Sequence, residues 1–274
     1  MQYLIGFLLS GTFSLLAWRA RALSASGAWA ATLCGGLIFG AGGWAWAALL
    51  LAFFISSSAL SRLFRRHKLA LNEKFSKGSR RDWAQVGANG GLGALLAVSL
   101  AIGLALPTGL WPGPTWLWAA YAGAIAAVNA DTWATEIGVL SRSAPRLITN
   151  GRVVERGTSG ALTLLGSAAA LAGAALIALL AALLSPAGFA LALVGAVTAG
   201  GLAGSLFDSL LGATLQAIYH CPACQKETEQ HPTHRCGSAT SRRRGWPWVN
   251  NEVVNFLCSM MGAAVAALLW GLFQ

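Results

Sequence analysis

Apolar stretches of roughly eighteen or more residues, long enough to cross a bilayer, recur from one end of this 274-residue chain to the other. The charges between them are segregated. All 19 Lys and Arg residues fall within 19–21, 62–81, 142–156 and 226–244, and the alternate connections hold none. Only helices and closed barrels satisfy their backbone in lipid, and the short alternating segments of a barrel are absent. The expectation is therefore all-α: one integral-membrane domain over residues 1–274, a polytopic helical bundle of about eight transmembrane helices. Those spans are residues 1–18, 22–61 as two helices divided near Gly40-Ala41-Gly42-Gly43, 83–106, 115–140, 160–184, 187–219 and 249–273. The run 187–219 is long enough that it should tilt, kink near Gly200-Gly201 or project from the membrane. With eight spans every basic residue lies on one face, which the positive-inside rule makes cytoplasmic, with both termini outside.

Composition narrows the class further. Only 10% of residues are charged and 56% are hydrophobic, against about 25% charged in ordinary domains. The net charge of +10 sits in membrane-side loops, so nucleic acid is not the expected partner. The first apolar run lacks a basic leader and a small-residue cleavage site, and reads as a retained helix of a prokaryotic cytoplasmic membrane protein. Cys34 and Cys258 lie in apolar runs and read as packing residues. No sharp internal repeat supports an inverted-repeat transporter.

Inside the fifth span sits Asn129-Ala130-Asp131-Thr132-Trp133-Ala134-Thr135-Glu136-Ile137-Gly138. A carboxylate at membrane depth costs about 3 kcal/mol, so it pairs, holds a cation or faces water. Asn129, Thr132 and Glu136 share one helix face, while Asp131 is about 140° from Glu136 and serves a different partner. Gln85 and Asn89, Thr158 and Ser159, Ser205, Asp208 and Ser209, and Asn250, Asn251, Glu252 and Asn255 are expected at the same depth on the cytoplasmic ends of four other spans. A pore or carrier would line both halves or the midplane; a one-sided cup suggests an interfacial enzyme. Hard oxygens with amide neighbours suit Mg²⁺, which shares its coordination with substrate phosphates. The loop 141–157, continuing through Gly157-Thr158-Ser159-Gly160, supplies glycines and the cations Arg152 and Arg156 for phosphate; Asn89-Gly90-Gly91 is a second candidate cradle.

The cytoplasmic loop 220–248 holds Cys221-Pro222-Ala223-Cys224, then His231, His234 and Cys236. A C-x₂-C pair with a later Cys and His offers a Cys₃His set for structural Zn²⁺, with His231 and His234 competing for the fourth place.

Six segments in order carry a resemblance: residues 77–91 around Lys77-Gly78-Ser79-Arg80-Arg81-Asp82, the Asn129 to Gly138 stretch, residues 145–149, Gly157-Thr158-Ser159-Gly160, residues 204–216 around Gly204-Ser205-Leu206-Phe207-Asp208, and Asn250-Asn251-Glu252-Val253-Val254-Asn255. Together they resemble the phytyl-phosphate kinase family of integral-membrane proteins, which includes transmembrane protein 19. Ser159 stands where that pattern has Asn, and Ala161 where it has Gly. The resemblance implies transfer of a phosphoryl group from a nucleoside triphosphate, CTP in the plant members, to an isoprenyl monophosphate lipid. It assigns Asp131 and Asp208 as Mg²⁺ carriers, with Glu136 and Glu252 supporting. Arg152, Arg156, Gly157, Thr158 and Ser159 would hold phosphates, Arg80 or Arg81 the nucleotide, and Asn89, Asn129, Asn251 and Asn255 would orient them. The rival classes are a transporter or lipid translocase using Asp131 and Asp208 as coupling-ion sites, and a CTP-dependent cytidylyltransferase.

Overall fold

The computed structural model describes residues 1–64, 80–106 and 113–273. Arg65, Arg66, Lys68, Lys74 and Lys77 of the 62–82 loop, and most of the proline-bearing connection after residue 106, lie outside them. Seven helices run through the described residues: α1 (Gln2–Arg19), α2 (Ala25–Leu63), α3 (Trp83–Ala105), α4 (Pro114–Gly138), α5 (Leu164–Leu183), α6 (Leu191–Thr214) and α7 (Asn251–Gly271). Five of them, α2, α3, α5, α6 and α7, are long and apolar enough to cross a membrane. The all-α expectation needs one correction, because the loops fold into two small sheets. β1 (Arg146–Leu147) pairs antiparallel with β2 (Ala161–Leu162). β3 (Ile218–Cys221) pairs antiparallel with both β4 (Lys226–Thr228) and β5 (Ser241–Arg244).

As a straight rod, the 39 residues of α2 would extend about 58 Å, nearly twice a hydrocarbon core of about 30 Å. The chain avoids this at Gly43, whose φ of 75° and ψ of −165° leave helical geometry, a conformation that glycine adopts without Cβ strain. The second leg returns to where the first began, since Arg62 Nη2 donates to the Ala20 carbonyl at 2.8 Å. The break falls inside the glycine run at which the sequence reading divides the segment. α1 lies along the first leg, with Ser10 Oγ donating to the Ala31 carbonyl at 3.0 Å.

α4 is the axis of the molecule. It packs against α2, α3, α5, α6 and α7, and its residues from Leu117 through Ala130 are all buried. Helices in lipid gain little from excluding water, so close packing through small residues holds them. Gly123 faces Ala266 and Gly262 of α7, Gly204 of α6 faces Ala127, and Gly201 faces Ala174 and Ala126. At each of these a Cβ would collide. Gly200 and Gly201 are thus contact points and α6 continues helical through them, so of the tilt, kink or projection expected of this run the break at these glycines is not the one taken. Two large core residues satisfy their polar atoms on neighbouring backbone. Tyr121 OH donates to the Trp46 carbonyl at 2.7 Å, and Trp118 Nε1 to that of Ala181 at 3.1 Å.

Two helix boundaries also move. The span expected from residue 160 begins at Leu164, capped by Thr163, whose Oγ1 accepts from Gly166 N at 3.0 Å. Gly160, at φ 81°, turns the chain so that Ala161 and Leu162 pair with β1. The span expected through residue 219 stops at Thr214, because Ala217 N donates to the Val249 carbonyl at 2.8 Å and Ile218 starts β3.

Candidate functional site

A cavity of about 710 Å³ is lined by residues from the C-terminal ends of α2, α4 and α6, the N-terminal ends of α3, α5 and α7, and the loops between them. Its polar wall includes Asn89, Asp131, Thr135, Glu136, Ser205, Asp208, Ser209, Asn251 and Asn255. The two carboxylates of α4 diverge, as their spacing requires. Glu136 is buried and its Oε1 accepts from Ser61 Oγ of α2 at 2.6 Å. Asp131 lies within electrostatic reach of Asp208 on α6, and Glu229 joins them from the 220–248 loop. Asp208 Oδ2 is buried and has no hydrogen-bond partner among the described residues.

Arg81 is fixed on every side. Its N–H donates to the Ala22 carbonyl at 3.0 Å and its carbonyl accepts from Ser24 N at 2.9 Å. The guanidinium donates to Ser57 and Ser58 Oγ at 2.9 and 3.1 Å, and lies 5.5 and 5.2 Å from the ring centroids of Phe53 and Phe54. Burial pushes its pKa down to about 10, with the Glu136 carboxylate opposing, so it is a fixed cation at neutral pH. The next residue, Asp82, opens α3 with a capping box. Asp82 Oδ1 accepts from Gln85 N at 3.0 Å and Gln85 Oε1 from Asp82 N at 3.2 Å.

The loop ending in Gly157-Thr158-Ser159-Gly160 also lines the cavity, and its Gly157 and Gly160 have φ of 79° and 81°. Gly160 is doubly constrained, since a Cβ there would also press on Ala213 and the Ser209 carbonyl of α6. Arg156 Nη2 donates to the Ser141 carbonyl at 2.7 Å. Ser159 Oγ donates to Glu229 Oε1 at 3.2 Å.

The three-stranded sheet carries the cysteines. Donor atoms of Cys221, Cys224, His234 and Cys236 all lie within 4.8 Å of one another. Cys221 and Cys236 Sγ are 3.5 Å apart, and His234 Nδ1 is 3.5 Å from Cys224 Sγ and 3.2 Å from Cys236 Sγ. Tetrahedral Zn²⁺ with bonds of about 2.3 Å separates its ligands by roughly 3.8 Å, so this set could hold the metal. The Cys236 thiol, then burial, then Cys221 push Cys224 up to about 11. Thiols crowded in this way are relieved by binding a cation. His234, not His231, belongs to this set: His231 is exposed and stacks on Tyr219 with ring centroids 4.4 Å apart.

The model of the family described as integral membrane protein DUF92 matches residues 8–263. The chain belongs to this family. It is similar to "Protein PGR" of Arabidopsis thaliana, 30% identical over 97% of this chain and 96% of the plant protein. It is equally similar, at 30% identity over 98% of this chain and 95% of the relative, to "Uncharacterized membrane protein MJ0933" of Methanocaldococcus jannaschii. A third relative is "Uncharacterized membrane protein sll0875" of Synechocystis, 29% identical over 86% of this chain and 78% of its own length. No solved structure matches. The likeness to membrane proteins of the phytyl-phosphate kinase and transmembrane protein 19 type thus holds at the level of family.

Within this DUF92 chain, the cavity gathers Asp131, Asp208, Glu136, Arg81, Asn89, Arg156, Gly157, Thr158, Ser159, Asn251 and Asn255. Four expected residues stand apart. Asn129 is wholly buried and ties helices together, accepting from Ser56 Oγ at 3.1 Å and donating to the Gly173 carbonyl at 2.8 Å. Arg80 is exposed and reaches the Leu23 carbonyl at 3.5 Å. Arg152 is exposed and lies outside the lining. Glu252 occupies the first turn of α7, where helix-end amides favour a carboxylate, and is also outside the lining. Asn89-Gly90-Gly91 cannot cradle an anion through its amides, because it lies inside α3, beyond the first turn. Glu229, Gln216 and Ser61 line the cavity and were not singled out in the sequence as site residues. Nothing in a cysteine-rich loop announces that its one carboxylate between β4 and His234 folds back onto a membrane cavity.

Proposed function

We propose that this DUF92 chain is a lipid-phosphate kinase, transferring a phosphoryl group from a nucleoside triphosphate, CTP by family likeness, to an isoprenyl monophosphate. The observation that carries this reading is the mixed lining of the cavity, polar and charged groups beside leucines. The lining holds Asp131, Asp208, Arg81 and the glycine loop together with the apolar side chains Leu171, Leu202 and Leu206. Leu171 and Leu206 are 49% and 46% exposed, which leaves apolar surface for a lipid tail to lie against. An amphiphile with an anionic head fits such a site better than a free ion. Hard carboxylate oxygens, with Asp208 Oδ2 buried and without a hydrogen bond, suit Mg²⁺ on Asp131 and Asp208. When bound, Mg²⁺ neutralises charge on the nucleotide phosphates. An oxygen of the lipid phosphate attacks the terminal phosphorus of the nucleotide. The bond from that phosphorus to the bridging oxygen breaks, and the nucleoside diphosphate leaves with the electron pair. The attacking oxygen is already anionic, so no general base is required. Arg81 and the loop amides at 157–160 would stabilise the charge that spreads over the transferring group.

The orientation belongs to the same proposal: eight spans, counting α2 as two, with the cavity facing the cytoplasm. Its support is that Arg62 and Arg81 meet the chain just beyond α1, beside the cavity, as the positive-inside rule asks. In oriented membranes, Asn150→Cys should label from the cytoplasmic side and Ser185→Cys from the other; labelling of both from one side would sink this topology. For the activity, purified protein with prenyl monophosphates, Mg²⁺ and radiolabelled CTP or ATP should yield the prenyl diphosphate. A CDP-lipid would instead indicate a cytidylyltransferase. No product, together with ion-coupled flux in liposomes, would indicate a transporter.

A further inference from the structure

We propose that Glu229 is a positioning residue that couples the metal-binding knuckle to the glycine loop of the cavity, so that metal occupancy sets how firmly that loop is held. The connection can be followed atom by atom. His234 and Cys236 flank Arg235, whose N–H donates to Gln230 Oε1 at 2.9 Å. Thr240 Oγ1 donates to the Gln230 carbonyl at 3.1 Å, and Gln230 N donates to Thr228 Oγ1 at 3.1 Å. Thr228 closes β4 opposite Tyr219 of β3. Glu229 is therefore held from both sides by segments that the metal ligands organise. From there its Oε1 accepts from Ser159 Oγ at 3.2 Å and from Gln216 Nε2 at 2.9 Å. One carboxylate oxygen thus joins the glycine loop to the turn that follows α6, the helix that carries Asp208. A sheet this small has little core of its own, and structural zinc supplies its folding free energy. Loss of metal frees the knuckle, and Ser159 loses its acceptor. The coupling rests on the phosphoryl-transfer reading only for the identity of the anion that the loop would hold.

The test reads the loop without turnover. Amide hydrogen exchange over residues 155–163 is measured on full-length protein, with α1 to α3 as the internal control for folding. Glu229→Ala should keep about one zinc per chain, yet raise loop exchange by about tenfold. Glu229→Gln keeps an acceptor oxygen and should restore protection. Cys224→Ser should lose zinc and raise loop exchange as much, with the double variant no worse than Cys224→Ser alone. Chelating zinc from the wild type and adding it back should reproduce the change reversibly, which covers a variant that fails to fold. CTP–Mg²⁺ affinity, where it is measurable, should fall in parallel with protection. Zinc loss that leaves loop exchange unchanged, or Glu229→Ala that leaves it unchanged, would overturn the proposal. Because exchange is independent of catalysis, a protein without kinase activity would still give one of these answers.

Discussion

Asp208 and Glu229 approach the same cavity by two kinds of construction. Asp208 rides on α6, whose position is set by glycines at van der Waals contact with α4 and α7. Glu229 hangs from a short sheet fastened by strand pairing and four metal-type donors. In lipid, backbone groups are satisfied within each helix, and geometry comes from how closely the rods approach. In water, a segment this short cannot bury enough surface and needs a staple. The first region should therefore fail through steric insertion, and the second through loss of a ligand.

The largest effect should come from Gly204→Val. Its Cβ would meet Ala127 and the Cys258 carbonyl, which cannot move without separating α4, α6 and α7. A destabilisation of about 3 kcal/mol or more is expected, visible as loss of the folded fraction in detergent; a normal melting curve would contradict the packing account. Cys221→Ser attacks the other region. It should empty the metal site and loosen residues 218–244 while the bundle keeps its helicity and most of its melting temperature. His231→Ala should retain full zinc, since that ring stacks on Tyr219; metal analysis that reverses these two results would exchange the ligand assignments. The smallest effect is at the apolar wall. Leu206→Trp narrows the apolar lining, so KM should rise a few-fold, about 1 kcal/mol, for long-chain prenyl phosphates and little for short ones. An equal change for both lengths would remove the tail from that wall.

Much of this was legible in the sequence. Gly43 breaks α2 where the run exceeded a membrane's thickness, and spacing alone separated the partners of Asp131 and Glu136. The C-x₂-C pair announced the Cys221, Cys224, His234 and Cys236 cluster, which could hold a metal. What remained hidden required a third dimension. Thr158 and Ser159 read as a helix start because apolar residues follow them, yet the left-handed turn at Gly160 makes them a loop rim. Asn129 shares a helix with the cavity carboxylates but points at α2 and α5, and only packing decides between those faces. Arg81 is one cation among eight in a basic stretch, and nothing local says that it sits between serines and phenylalanines. Glu229 lies fifteen residues past the end of α6 at Thr214 and lines the cavity only because the knuckle folds back.

The account rests on intramembrane carboxylates placed for chemistry, and Asp131→Asn tests that most directly. Asn keeps the size and hydrogen-bonding capacity of Asp and discards the charge. The expected result is a protein that folds as well as wild type, or better, because a charge at membrane depth is costly to hold. Its Mg²⁺-dependent phosphoryl transfer to a prenyl phosphate should fall by about 10²-fold or more. A well-folded Asp131→Asn protein with near-normal turnover would contradict the assignment of the cavity as the reaction site.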